Sequence, residues 1–100
     1  MRHLISLKEQ SRQDILTMLG LAQKLKAERN AGELTNYLPL KTLIMLFQKP
    51  STRTRLSFEA AMTELGGHAI FLDSKTTQFS LTDFRDEIQA VMRYGHALMF

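Results

Sequence analysis

The chain contains 100 residues, of which 44% are hydrophobic and 23% are charged, a composition typical of one small globular domain rather than a disordered chain. Cysteine is absent, which excludes disulfide bonds and thiolate chemistry, and no apolar run approaches the ~20 residues that cross a bilayer. The net charge of +3 is too small to indicate nucleic-acid binding but suits a small anionic ligand. Lys8 and Glu9 interrupt the signal-peptide core that a secreted chain would need, so we expect a cytoplasmic protein without a membrane or nucleic-acid partner.

The first predicted element is a helix that starts at Ser6 or at Ser11. Each serine stands three positions before an acidic residue, Glu9 and Asp14 respectively, which is the spacing of a capping box. Apolar residues then recur at helical intervals, and Gly32 is suited to ending the helix.

The remaining elements alternate between strand and helix. The continuous apolar run Thr42–Phe47 predicts a strand that is buried on both faces. A helix from about Thr52 to Leu65 and a strand from His68 to Leu72 follow it. A third helix begins at Thr82 or Asp83, and His96–Phe100 forms a third strand that reaches the last residue. This alternation predicts an α/β fold with three αβα layers around a parallel sheet.

The apolar residues of the second helix predict which side faces the core, namely Leu56, Phe58, Ala61, Met62 and Leu65. A third strand that runs to the last residue is unusual for a complete domain. We therefore expect residues 1–100 to be one truncated domain.

The segment from Ser51 to Arg55 carries the chemistry of this sequence, because it joins the carboxyl end of the buried strand to the start of a helix. A helix start offers unpaired N–H groups and partial positive charge to an anion. The hydroxyl groups of Ser51, Thr52 and Thr54 can donate to phosphate oxygens, and Arg53 can add a bidentate clamp. The alternative is an ordinary helix cap with solvated arginines.

A second feature of this helix is the spacing of Arg55 and Glu59, which lie four residues apart. This spacing places both side chains on one side of a helix, so we expect an ion pair between them.

The run Ser51-Thr-Arg-Thr-Arg, continued by Leu-Ser-Phe-Glu and later by Leu65-Gly-Gly, closely resembles the aspartate and ornithine carbamoyltransferase family. The resemblance extends from Leu7 to the last strand. Lys49 before the motif and Gln78 in the loop after the second strand resemble the ornithine branch. The resemblance implies a carbamoyl-phosphate-binding domain, with the amino-acid-binding domain absent from these 100 residues.

The resemblance also implies the roles of individual residues. Ser51, Thr52, Arg53 and Thr54 would bind carbamoyl phosphate, with Arg53 and Thr54 catalytic. Gln78 would reach the carbamoyl phosphate of an adjacent subunit in a homotrimer. The implied reaction converts carbamoyl phosphate and L-ornithine to L-citrulline and phosphate in arginine biosynthesis. It implies no metal and no organic cofactor.

The sequence leaves other functions open as alternatives. The loop Phe79–Asp83 lacks the glycines and the arginine of the ornithine pattern, so an aspartate carbamoyltransferase of pyrimidine biosynthesis, or a related enzyme, is an alternative. A stand-alone phosphate-binding or nucleic-acid-binding module is an alternative of another class. His68 and His96 are expected to be structural, because lone histidines at strand starts seldom act as ligands.

We predict that the purified 100-residue chain forms no citrulline from carbamoyl phosphate and ornithine. The physical reason is that the residues implied to bind the amino acid belong to the absent domain. A colorimetric assay for citrulline checks this, and measurable turnover would contradict it.

Overall fold

The structure is a computed structural model that describes residues 3–75 and 83–100. The chain divides into two compact units, Met1–Thr35 and Asn36–Phe100. Within the described residues, every helix is too short or too polar to cross a membrane.

The first unit consists of one long helix preceded by a short turn. The helix, α1, spans Arg12–Asn30, and the hydroxyl group of Ser11 accepts a hydrogen bond from the Asp14 N–H at 3.0 Å. Ser6 caps a separate 3₁₀ turn at Leu7–Glu9, so the long helix begins at the second of the two predicted serines. Gly32 follows the helix end with a φ of 73°, as expected for a terminating glycine.

The second unit contains three parallel strands in the order β2-β1-β3. They are β1 (Thr42–Phe47), β2 (His68–Asp73) and β3 (Ala97–Met99). The register pairs Thr42 with His68 and Phe47 with Asp73. The bounds of β1 match the prediction, whereas β3 is shorter than predicted. The parallel α/β fold is confirmed.

The two helices of this unit connect the strands. α2 spans Thr52–Glu64 between β1 and β2, and α3 spans Phe84–Val91 between β2 and β3. The carboxylate of Asp83 caps α3 by accepting from the N–H groups of Arg85 and Asp86. The predicted start of the third helix is therefore confirmed.

The core of the sheet lies around β1, whose residues from Leu43 to Phe47 are at most 9% exposed. One face packs against Met62 of α2, in a cluster formed by Leu43, Met45, Phe47 and Met62. The apolar side predicted for α2 is wrong for Leu56 and Phe58, which are 59% and 40% exposed, and for Ala61, which is also exposed; it is correct for Met62. The helix thus packs on the sheet through its second half.

His96, which directly precedes β3, makes two hydrogen bonds with Thr42 at the amino end of β1. Its ring Nδ1 accepts a hydrogen bond from the backbone N–H of Thr42 at 3.0 Å. The backbone N–H of His96 donates to the Thr42 carbonyl at 2.8 Å. The structural role predicted for this histidine is confirmed.

We predict that Gly67→Ala lowers the free energy of unfolding by about 1–3 kcal/mol. The added methyl group would overlap with backbone atoms, which cannot move aside as the end of a side chain can. A β-carbon at Gly67 would lie 2.8 Å from the Lys41 carbonyl oxygen and 2.6 Å from Cε of Met62. Urea unfolding measures the change.

The matched control is Gly20→Ala in α1, where a β-carbon would meet no atom within 4 Å. This substitution removes a helix-interior glycine and should raise stability by about 1 kcal/mol. Equal effects of the two substitutions would contradict the close approach at Gly67.

Candidate functional site

A crevice lies at the carboxyl ends of β1 and β2, between residues of the two strands and of the loops that follow them. The chain moves from β1 to β2 on one side and then returns past β1 to β3 on the other. Because parallel crossovers are right-handed, α2 and α3 lie on opposite faces. A β-carbon at Gly95, just after α3, would lie 2.6 Å from Cδ1 of Ile44, on the face opposite Met45. In an open parallel sheet, ligands bind outside the carboxyl ends of the strands. With the order β2-β1-β3, the switch point of a doubly wound fold lies between β1 and β3, so the loop after β1 borders it.

A cavity of about 220 Å³ lies in this crevice. It is lined by Phe47, Gln48, Lys49, Pro50, Phe71, Asp73 and Lys75. Two ammonium groups and one carboxylate thus border it, and its walls include two aromatic rings. The start of the loop after β2 is fixed, because Ser74 N–H donates to the Phe47 carbonyl and Lys75 N–H to the Asp73 carboxylate.

The residues predicted to bind an anion lie at the start of α2. In the sequence they follow directly after Pro50, which lines the cavity. Ser51, Thr52, Arg53 and Thr54 are all exposed. The first intrahelical hydrogen bond runs from the Arg55 N–H to the Ser51 carbonyl at 3.0 Å. The N–H groups of the three residues between them have no carbonyl of the preceding turn to bind. They are available to a ligand at the end of the helix.

The side chains of this turn are also available. Ser51 makes no capping hydrogen bond, in contrast to Ser11 and Asp83 at the starts of the other helices. Within residues 3–75 and 83–100, the Arg53 guanidinium has no carboxylate partner. Ser51 is therefore the N-cap residue of α2 without a side-chain capping bond, while the exposed Arg53 also fits the solvated arginine of the alternative, which stays open.

Arg55 is engaged with other residues of the chain. Its Nε donates to the Glu59 carboxylate at 3.0 Å, which confirms the predicted ion pair. Its guanidinium carbon also lies 3.9 Å from the centroid of the Phe71 ring, and that ring meets Phe47 edge to face at 5.4 Å. These aromatic contacts are not predictable from the sequence, since no local spacing relates Arg55 to a residue of β2.

Gln78 lies outside the described residues, so its role stays a prediction. Among the residues that are described, no three histidine or carboxylate side chains come close enough to hold a metal ion.

These features define a doubly wound α/β domain with exposed hydroxyl and guanidinium donors at the carboxyl edge of its sheet. Residues 2–100 match the aspartate/ornithine carbamoyltransferase, carbamoyl-P binding domain. The chain belongs to this family.

Individual relatives agree with the family. The chain is 45% identical over 100 residues to the ornithine carbamoyltransferase of Archaeoglobus fulgidus, covering 99% of this chain and 33% of that protein. The ornithine carbamoyltransferase structure from Pyrococcus furiosus matches with a TM-score of 0.90 at 40% identity, over 97% of this chain and 31% of that one. The catalytic subunit of aspartate transcarbamoylase from M. jannaschii matches with a TM-score of 0.86 at 35% identity, over 98% and 33%. The chain spans about a third of the length of the curated relatives it matches.

We predict that Ser51→Ala changes the free energy of unfolding by less than about 0.3 kcal/mol, since no capping bond is lost. Ser11→Ala is the matched control, because it removes a capping bond of 3.0 Å and should cost about 1 kcal/mol. Thermal unfolding measures both. An equal loss in the two variants would contradict the assignment of the Ser51 hydroxyl to a ligand.

Proposed function

We propose that this chain is the carbamoyl-phosphate-binding domain of an ornithine carbamoyltransferase. The observation that carries the proposal is the exposed, unengaged set of donors from Ser51 to Thr54, at the end of a buried central strand. Membership of the family, and relatives that carry the name ornithine carbamoyltransferase, support the same ligand.

The phosphate group of carbamoyl phosphate occupies the start of α2 in this proposal. It accepts hydrogen bonds from the first N–H groups of the helix and from the hydroxyl groups of Ser51, Thr52 and Thr54. Arg53 adds charge-assisted hydrogen bonds, which are about twice as strong as neutral ones. No other residue of this turn supplies an uncommitted positive charge within the described chain, because Arg55 pairs with Glu59.

The same donors promote the reaction. The amino group of ornithine, once deprotonated, attacks the carbamoyl carbon; a C–N bond forms, and the bond from that carbon to the phosphate oxygen breaks. The attacking nitrogen then loses one proton, which the leaving phosphate accepts. Negative charge grows on the leaving phosphate, where Arg53 and the helix N–H groups stabilise it. Thr54 donates a hydrogen bond to the carbamoyl oxygen and polarises the carbonyl group.

Ornithine is the acceptor that we favour. Lys49 stands before the motif and borders the cavity, which is consistent with the ornithine branch, and the similar curated relatives are ornithine carbamoyltransferases. The structural match to aspartate transcarbamoylase makes aspartate the second candidate. No observation on the described residues favours a nucleic-acid-binding module.

The active protein is a homotrimer in the cytoplasm that serves arginine biosynthesis. Gln78 acts at the site of a neighbouring subunit, and a separate domain binds the amino acid. Residues 1–100 are then part of the first of two domains.

We expect Arg53→Ala to weaken binding of carbamoyl phosphate by at least about tenfold, because hydrogen bonds to charged groups contribute roughly 1.5–3 kcal/mol. Titration of the ¹⁵N-labelled chain with carbamoyl phosphate measures the affinity and should shift the amide signals of Ser51 to Arg55. Since Arg53 is exposed, the thermal midpoint should stay unchanged.

The matched control is Arg93→Ala, another exposed arginine, which follows α3 and should bind like the unsubstituted chain. A folded, unsubstituted chain without saturable shifts at Ser51 to Arg55 would contradict the proposed function. Equal weakening by both substitutions would indicate a general charge effect instead of a site at α2.

A further inference from the structure

The first turn of α2 has few contacts with the sheet, although it carries the proposed ligand-binding residues. All positions from Ser51 to Phe58 are exposed, whereas Met62, in the second half of the helix, is 9% exposed and packs in the core. The side-chain cap that often fixes a helix start is also absent at Ser51. The position of this turn over the sheet therefore depends on a small number of interactions.

Arg55 supplies a direct contact between this turn and the sheet. Its guanidinium carbon lies 3.9 Å from the centroid of the Phe71 ring in β2. Phe71 meets Phe47, the last residue of β1, edge to face with ring centroids 5.4 Å apart. The three side chains thus connect the start of α2 to the carboxyl ends of both strands that border the crevice.

The ion pair with Glu59 holds Arg55 in the geometry that this contact needs. Its Nε donates to the carboxylate one turn later, which restricts the rotamers of a long side chain and keeps the planar guanidinium on the ring. Arg55 and Glu59 are 45% and 31% exposed, and pairs with such exposure contribute little to stability. The effect of the pair is therefore on position more than on folding.

We propose that Arg55 is a positioning residue, which holds the first turn of α2 on Phe71 so that the donors of Thr52, Arg53 and Thr54 stay in place for the phosphate group. The identity of the ligand rests on the proposed function. The positioning itself does not, because it concerns the ligand-free chain.

The first test measures the backbone order of the free protein by ¹⁵N relaxation. In the unsubstituted chain, the order parameters of Thr52, Arg53 and Thr54 should be near the value of about 0.85 for rigid backbone. In Arg55→Ala they should fall below about 0.7, while the thermal midpoint stays unchanged. Unchanged order parameters in this variant would overturn the proposal, whatever the chain binds.

The second test measures carbamoyl phosphate affinity in four variants by the same titration. Arg55→Ala and Phe71→Leu should each weaken binding roughly two- to fivefold, the range that loss of an exposed cation–π contact predicts. The double variant should be no weaker than either single one, since both remove one contact. Arg55→Lys should recover part of the affinity, because an ammonium group keeps the charge on the ring but lacks the planar fork.

The matched control is Lys24→Ala, which removes another ion pair with the same four-residue spacing, to Glu28 in α1, and should leave affinity unchanged.

The proposal would be overturned if Arg55→Lys restored the full affinity and Phe71→Leu had no effect. The charge of Arg55, and not its contact with the ring, would then explain its effect on binding. If Arg53→Ala abolishes binding while the Arg55 and Phe71 variants bind normally, the proposed function stands and the positioning role is wrong. If the unsubstituted chain does not bind carbamoyl phosphate, the proposed function is wrong. The relaxation measurement then decides the positioning role by itself.

Discussion

The complete burial of β1 is the constraint on which the rest of the sheet unit depends. Leu43 to Phe47 are at most 9% exposed, and β2 and β3 cover the two edges of the strand. Covered edges satisfy the backbone N–H and C=O groups that burial would otherwise leave without partners. Polar side chains have no room within such a strand, so they begin at its carboxyl end. The hydroxyl and guanidinium groups of the proposed site accordingly follow Phe47 in the chain.

The start of α2 differs physically from the starts of the other two helices. Ser11 and Asp83 use their own side chains to satisfy the first N–H groups of α1 and α3, whereas Ser51 leaves the corresponding groups of α2 to the solvent. The exposure of this turn makes that arrangement inexpensive in the free protein, because water can bind the same groups. An arriving anion then meets donors that need not first break an internal hydrogen bond. The folded chain thus combines a rigid strand with a helix start whose polar groups are uncommitted.

Local signals predicted the elements well where one physical effect dominated. The apolar run gave both ends of β1, and the cap at Asp83 gave the start of α3, because burial and capping act within a few residues. The prediction for α2 was correct for Met62 and wrong for Leu56 and Phe58. Periodicity shows which residues share one side of a helix, but it does not show how far along the helix the sheet extends.

The sequence by itself determined the parallel α/β fold, the bounds of the buried strand and the position of the helix start that we propose binds an anion. These properties follow from spacing, hydrophobic pattern and caps, all of which act over a few residues. Only the tertiary structure decided that Arg55 lies on the ring of Phe71, that Phe47 stands beside that ring, and that His96 accepts from Thr42. Those contacts depend on the order and register of strands that pair across long stretches of chain, and no local spacing encodes which strand ends become neighbours.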